Sequence, residues 1–170
     1  MTETAPTPER ADLLETLRVH RHFLRTTVAG LTEQQVRTRS TVSELTLGGL
    51  VKHVAATEAG WIDFVLEGPQ VMAAPEDGDY SAWEDGFRLT GEETLAGVLE
   101  RYAEVAARTD ALVGTVDLDQ SWPLPPAPWF EPGATRSARR VFLHVVAETA
   151  QHAGHADILR EAIDGQKTMG

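Results

Sequence analysis

His144-Val145-Val146-Ala147-Glu148-Thr149-Ala150-Gln151-His152-Ala153-Gly154-His155-Ala156-Asp157 is the stretch that decides how this chain reads. At spacings of four, four and three, His144, Glu148, His152 and His155 share one stripe of an α-helix, within roughly 80° of one another. A stripe so rich in imidazole is a poor core face unless something satisfies its nitrogens. A divalent cation would do so. Ser137 or Thr135 is placed to cap this helix, which runs to about Ile163 and stops at Gly165.

Working outward, the same helical period recurs three more times. Leu13, Leu17, His20, Leu24 and Val28 mark a helix over Glu9 to Ala29, with Gly30 as its stop. Thr32-Glu33-Gln34-Gln35 has the form of a capping box opening a short helical turn. Leu47, Leu50, Val54, Trp61, Phe64 and Val65 mark a helix from about Thr46 to Leu66, ended by Gly68-Pro69. Leu95, Val98, Leu99, Tyr102, Val105, Ala106 and Leu112 mark another, opened by Thr90-Gly91-Glu92-Glu93 and reaching about Val113. No segment alternates as a strand does.

Four helices and two long connections describe an all-α four-helix bundle, a single domain over residues 9–165 after a disordered lead-in at 1–8. The first connection, Pro69 to Thr90, carries an acidic cluster at Glu76, Asp77 and Asp79, with one helical turn expected around Trp83 and Phe87. The second, Gly114 to Thr135, holds five prolines between Pro123 and Pro132, together with Trp122, Trp129 and Phe130. Such a loop serves either as a lid over a pocket or as an apolar plug on one bundle end.

Composition narrows the function. A net charge of −11 over 170 residues argues against nucleic acid, and against docking on an anionic membrane. There is no cysteine, so disulfides, zinc ribbons, iron–sulfur clusters and a cysteine nucleophile are excluded. The first ten residues lack the apolar stretch of a signal peptide, and no apolar run reaches the roughly 20 residues of a spanning helix. The expected location is the cytoplasm.

Glu148 and His152, at i and i+4, can reach one ion. One helix rarely surrounds a metal, so a third ligand is expected from another helix. The second helix offers a single histidine, His53, with small neighbours that leave room for an ion. Two nitrogens and one carboxylate leave open positions, the catalytic arrangement. Zinc suits this set, while nickel, iron and manganese stay open. The bland alternatives are a satisfied core histidine at 53 and a glutamate at 148 paired with an arginine. His20 is a candidate pocket-lining residue, and His144 a packing or supporting one.

At these residues the chain resembles the DinB-like superfamily of metal-binding four-helix bundles. The run Leu143 to Glu161 is similar to the actinobacterial mycothiol-transferase branch. So are Leu24-Arg25-Thr26-Thr27-Val28-Ala29-Gly30-Leu31-Thr32, Leu47-Gly48-Gly49-Leu50-Val51-Lys52-His53 and the closing Asp164-Gly165. The resemblance implies His53 and His152 as metal ligands. Glu148 stands where many members have histidine, so the third ligand is Glu148 or His155, with Glu148 preferred on spacing. It further implies a metal-dependent transferase that conjugates a mycothiol-like thiol, as cosubstrate, to a small electrophile. A thiol supplied from outside accords with the missing cysteine.

In that reading a divalent metal favours thiolate over thiol. His155 relays the thiol proton as the catalytic residue, and Arg139, Arg140 or Lys52 hold acidic groups of a ligand. The alternatives are a thiol-dependent isomerase or dechlorinase, a metal-dependent hydrolase, and a non-catalytic, stress-related metal-binding or dimerisation module. A homodimer is compatible with each.

Overall fold

The computed structural model describes residues 7–72, 85–127 and 129–168. Within them lie four long helices, α1 (Pro8–Thr26), α3 (Leu47–Glu67), α4 (Leu95–Thr115) and α5 (Ala138–Asp164), and one short helix, α2 (Glu33–Val36). A 3-10 turn, Pro69–Met72, follows α3. The first six residues, the acidic cluster at 76–79 and the turn expected at Trp83 lie outside the described residues.

Local chemistry sets the helix ends. The Thr46 hydroxyl accepts the Gly49 N–H, and the Ser137 hydroxyl accepts the Arg140 N–H. At α2, Thr32 and Gln35 form the reciprocal capping box. Gly165 closes α5 in the left-handed region at φ 79°, where glycine carries no Cβ penalty.

Three features differ from the sequence reading. α1 ends at Thr26 and not at Ala29, with a turn over 27–30 before the chain continues. Thr90 does engage Glu93, whose carboxylate accepts the Thr90 N–H at 2.8 Å. That closes only a turn, and α4 starts later because Thr94 accepts the Gly97 N–H. Strands also occur where none was expected. β1 (Ser121–Pro123) and β2 (Thr135–Ser137) pair antiparallel, Trp122 opposite Arg136. They clamp the base of the proline-rich loop, and three residues are too few to show alternation.

The helices form a ring in which α1 packs on α5, α5 on α3 and α3 on α4, with the α1–α4 seam the sparsest. Arg160 fastens one corner. Buried in α5, it donates to the carbonyls of Thr27 and Ala29, both at 2.9 Å, and pairs with Asp164. The core has two halves. One contains Leu24, Leu50, Val54, Val98, Tyr102 and Ala156. The other contains Leu17, Ile62, Phe64, Val113, Phe142 and Val145.

Between the halves each long helix buries one polar residue: Arg21, Glu58, Thr109 and Thr149. The Arg21 Nε and Nη2 donate to the two Glu58 oxygens, Nε at 3.2 Å, and Thr109 donates to Glu58 Oε1 at 2.6 Å. Nη1 of Arg21 reaches Asp110 at 2.8 Å. Burial works against the Arg21 charge, and the bonds and charges of Glu58 and Asp110 more than offset it, so its pKa is raised.

The proline-rich loop is a plug. Trp122 Nε1 and Gln120 Nε2 donate to the Val65 carbonyl at 3.1 and 2.8 Å, at the C-terminal end of α3. Trp122, Leu124 and Phe130 pack on the second core half, while Trp129 is 76% exposed.

Candidate metal centre

The seam between α3 and α5 brings His53, Glu148 and His152 together. One donor atom from each lies within 4.8 Å of the other two, and no other such group of His, Asp or Glu occurs among the described residues. The His53 and His152 rings meet edge to face, centroids 4.9 Å apart. Donors of a tetrahedral zinc site, about 2.0–2.1 Å from the ion, stand about 3.4 Å from each other. The donor chemistry, two imidazoles and a carboxylate, suits a divalent first-row cation.

The existing contacts leave these atoms poorly satisfied. His53 Nε2 has Thr57 Oγ1 at 3.4 Å, and His152 Nε2 has Glu148 Oε2 at 3.5 Å, both at the limit of hydrogen bonding. The other Glu148 oxygen faces His144 Nε2 at 3.6 Å. His144 is therefore a flank to Glu148, its own ring edge-on to Trp61 at 4.8 Å. His155 is exposed and outside the converging group; its Nδ1 lies 3.4 Å from His152 Nδ1.

Burial pushes the pKa of His53, His144 and His152 below the ordinary 6.5. Glu148 opposes the shift in all three, while His152 adds to it at His53, His155 at His152, and Arg140 and Arg136 at His144. The rings are thus neutral at pH 7, with lone pairs available to a cation. The sign for the metal-free fold follows. Below pH 6.5 the unfolded chain binds protons that the folded chain refuses until its lower pKa values are reached. Stability from these groups is fully present above pH 6.5 and is lost as pH falls through that window. Urea midpoints measured between pH 7.5 and 5 should decline, and a His53→Gln, His144→Gln, His152→Gln triple variant should decline less.

A strap from the first connection covers His53. The Phe87 ring stacks on it at 4.0 Å with 20° between planes. Lys52, next to His53, anchors the strap by donating to the Asp85 and Arg88 carbonyls and to Glu93 at 3.0, 3.2 and 2.8 Å. Lys52 and Thr90 hold the Glu93 carboxyl down to about 2. Glycines let the strap lie against the α3 backbone: a Cβ on Gly49 would come within 1.8 Å of the Phe87 carbonyl oxygen. Gly49→Ala is expected to cost about 1–3 kcal/mol, as overpacking does, read from chemical denaturation. It should also displace Phe87 from His53.

Other candidates settle elsewhere. Lys52 is committed to the strap. Arg139 binds Glu9 and Asp119 near the N-terminus of α5. Arg140 is exposed one turn before His144. His20 is half-buried beside Phe23 on α1, outside the converging group.

The model of one family, mycothiol-S-transferase, matches residues 12–165. The chain belongs to that family. Its helical bundle is similar to a solved structure, a conserved protein from Enterococcus faecalis. That match has a TM-score of 0.68 at 15% identity, over 92% of this chain and 97% of the other. At that identity the likeness concerns the fold alone. No curated protein matches the chain at a significant level. Membership in the mycothiol-S-transferase family implies transfer chemistry on a thiol substrate. No helix among the described residues is long and apolar enough to cross a membrane.

Sequence reading missed the layer of Arg21, Glu58, Thr109 and Thr149 and the strap contact of Phe87. The first left a signal, since Arg21 interrupts the stripe Leu17–Leu24–Val28 and Glu58 the stripe Val51–Val54–Ile62. The second left a weaker one, the Gly48-Gly49 pair one turn before Lys52.

Proposed function

We propose that this protein is a metal-dependent thiol S-transferase that joins a mycothiol-like thiol to a small electrophile in the cytoplasm. The observation that carries the reading is the convergence of His53, Glu148 and His152, in a member of this family with no cysteine of its own. These three residues would hold the cation, zinc in the first instance. When bound, a divalent cation supplies a positive centre that favours thiolate over thiol at neutral pH.

The chain's own residues do the rest. Glu148 and the two neutral imidazoles fix the donor geometry from two rigid helices. Phe87 shields one face of the His53 ring from water. His155, exposed beside His152, accepts the thiol proton and passes it to solvent. A sulfur–carbon bond then forms at the electrophile, whose leaving group or π-bond takes the electron pair.

The test is a conjugation assay with mycothiol and a model alkyl halide, run with zinc-loaded and chelator-stripped protein. Conjugation above the uncatalysed rate is expected only when metal and thiol are both present. Turnover of an ester or amide without thiol would instead favour a metal-dependent hydrolase. Failure to retain zinc or nickel after purification would favour a non-catalytic module.

A further inference from the structure

The chain carries a net charge of −11, yet one of its hollows is lined by cations. Across the sparse α1–α4 seam, the small side chains of Ala106 and Ala107 leave a cleft of about 300 Å³. Its remaining lining is Arg18, Arg21, His22, Arg25 and Asp110. Three guanidiniums against one carboxylate leave two surplus positive charges at the mouth, and Glu58 behind Arg21 reduces the surplus to one.

The donors are not all consumed. Asp110 takes Arg21 Nη1 at 2.8 Å and Arg18 Nε at 3.1 Å. The other bonds of Arg21 go to Glu58. Among the described residues, both terminal amino groups of Arg18 are free and the guanidinium of Arg25 has no acceptor. Arg21 is itself 6% exposed and pinned from two sides, so it forms a rigid cationic floor. Exposed His22 lies at the rim. Guanidinium forks match the geometry of carboxylates and phosphates. A cleft of this volume lies at the small end of the range for ligand sites.

We propose that the α1–α4 cleft binds a small oxyanion-bearing molecule, through the free guanidinium of Arg25 and the terminal amino groups of Arg18. The site lies across the bundle from the α3–α5 seam and does not depend on the metal reading. Its floor residue, Arg21, also holds Glu58 on α3, the helix that bears His53.

The experiment is calorimetric titration of the full chain with inorganic phosphate and, separately, with succinate, at ionic strength matched with sodium chloride. Saturable binding is expected for at least one of them, and which one binds assigns the ligand as phosphate- or carboxylate-bearing. Arg25→Ala should weaken it at least tenfold and Arg18→Ala several-fold. Arg25→Lys should recover part of the loss, and Arg101→Ala, on the exposed face of α4, should leave it unchanged. Circular dichroism verifies that each variant is folded. Heat no greater than that of the chloride control, or equal affinity in wild type and Arg25→Ala, would overturn the proposal.

Discussion

His152→Ala is expected to abolish tight uptake of added zinc and to reduce the proposed thiol conjugation to the uncatalysed rate. Loss of a residue that merely supports a ligand weakens metal binding about 10–100-fold. A direct donor should cost at least the upper end of that range. Competition with a chromogenic chelator gives the affinity, and cobalt substitution reports the donor set through its visible spectrum. His144→Ala provides the contrast. Its ring touches Glu148 at 3.6 Å but is not among the converging donors. Its loss should weaken binding without changing the coordination spectrum. Unchanged metal affinity in both His152→Ala and His53→Ala would remove the α3–α5 seam as the metal centre.

Glu58→Ala is expected to destabilise the fold by about 3 kcal/mol, the low end of the cost of breaking a buried ion pair, because Asp110 still holds one edge of Arg21. Glu58 is 1% exposed and binds both Arg21 and Thr109, so truncation leaves Nε and Nη2 of the buried guanidinium unpaired, with Asp110 on Nη1 as its remaining partner. Replacing both charges is a different experiment. Arg21→Met with Glu58→Leu removes the ions together, and such exchanges are often neutral or stabilising. The double variant should therefore recover most of the stability lost by Glu58→Ala, measured by urea unfolding. A loss equal to the sum of the two single changes would show that the pair is not coupled.

The four-helix layout was legible because periodic apolar residues mark every long helix, and at α3 and α5 the end signals agree with them. Thr46, Ser137 and Gly165 cap where their side chains or backbone freedom require. The converging group was legible because i, i+4 spacing on one helix is a local property, and the second helix offers a single histidine. What was hidden is non-local. Arg21 and Glu58 each interrupt an apolar stripe, but that local signal names no partner for either. Only the three-dimensional arrangement shows that they meet. The α4 start was misjudged because Thr90 and Glu93 do bond to each other, and a local bond says nothing about whether the helix continues. The loop's role was ambiguous until Trp122 was seen anchored to the end of α3.

The layer of Arg21, Glu58, Thr109 and Thr149 also acts as a notch in an otherwise greasy set of rods. Sliding one rod by a single turn, about 5.4 Å, would set a carboxylate or guanidinium against hydrocarbon. Misaligned assemblies are thereby discouraged even though leucine and valine would tolerate them. The Met/Leu double variant is expected to keep its stability yet lose this indexing. More than one set of amide resonances per residue in its NMR spectrum would be the sign, and a single sharp set would show that side-chain shape alone fixes the alignment.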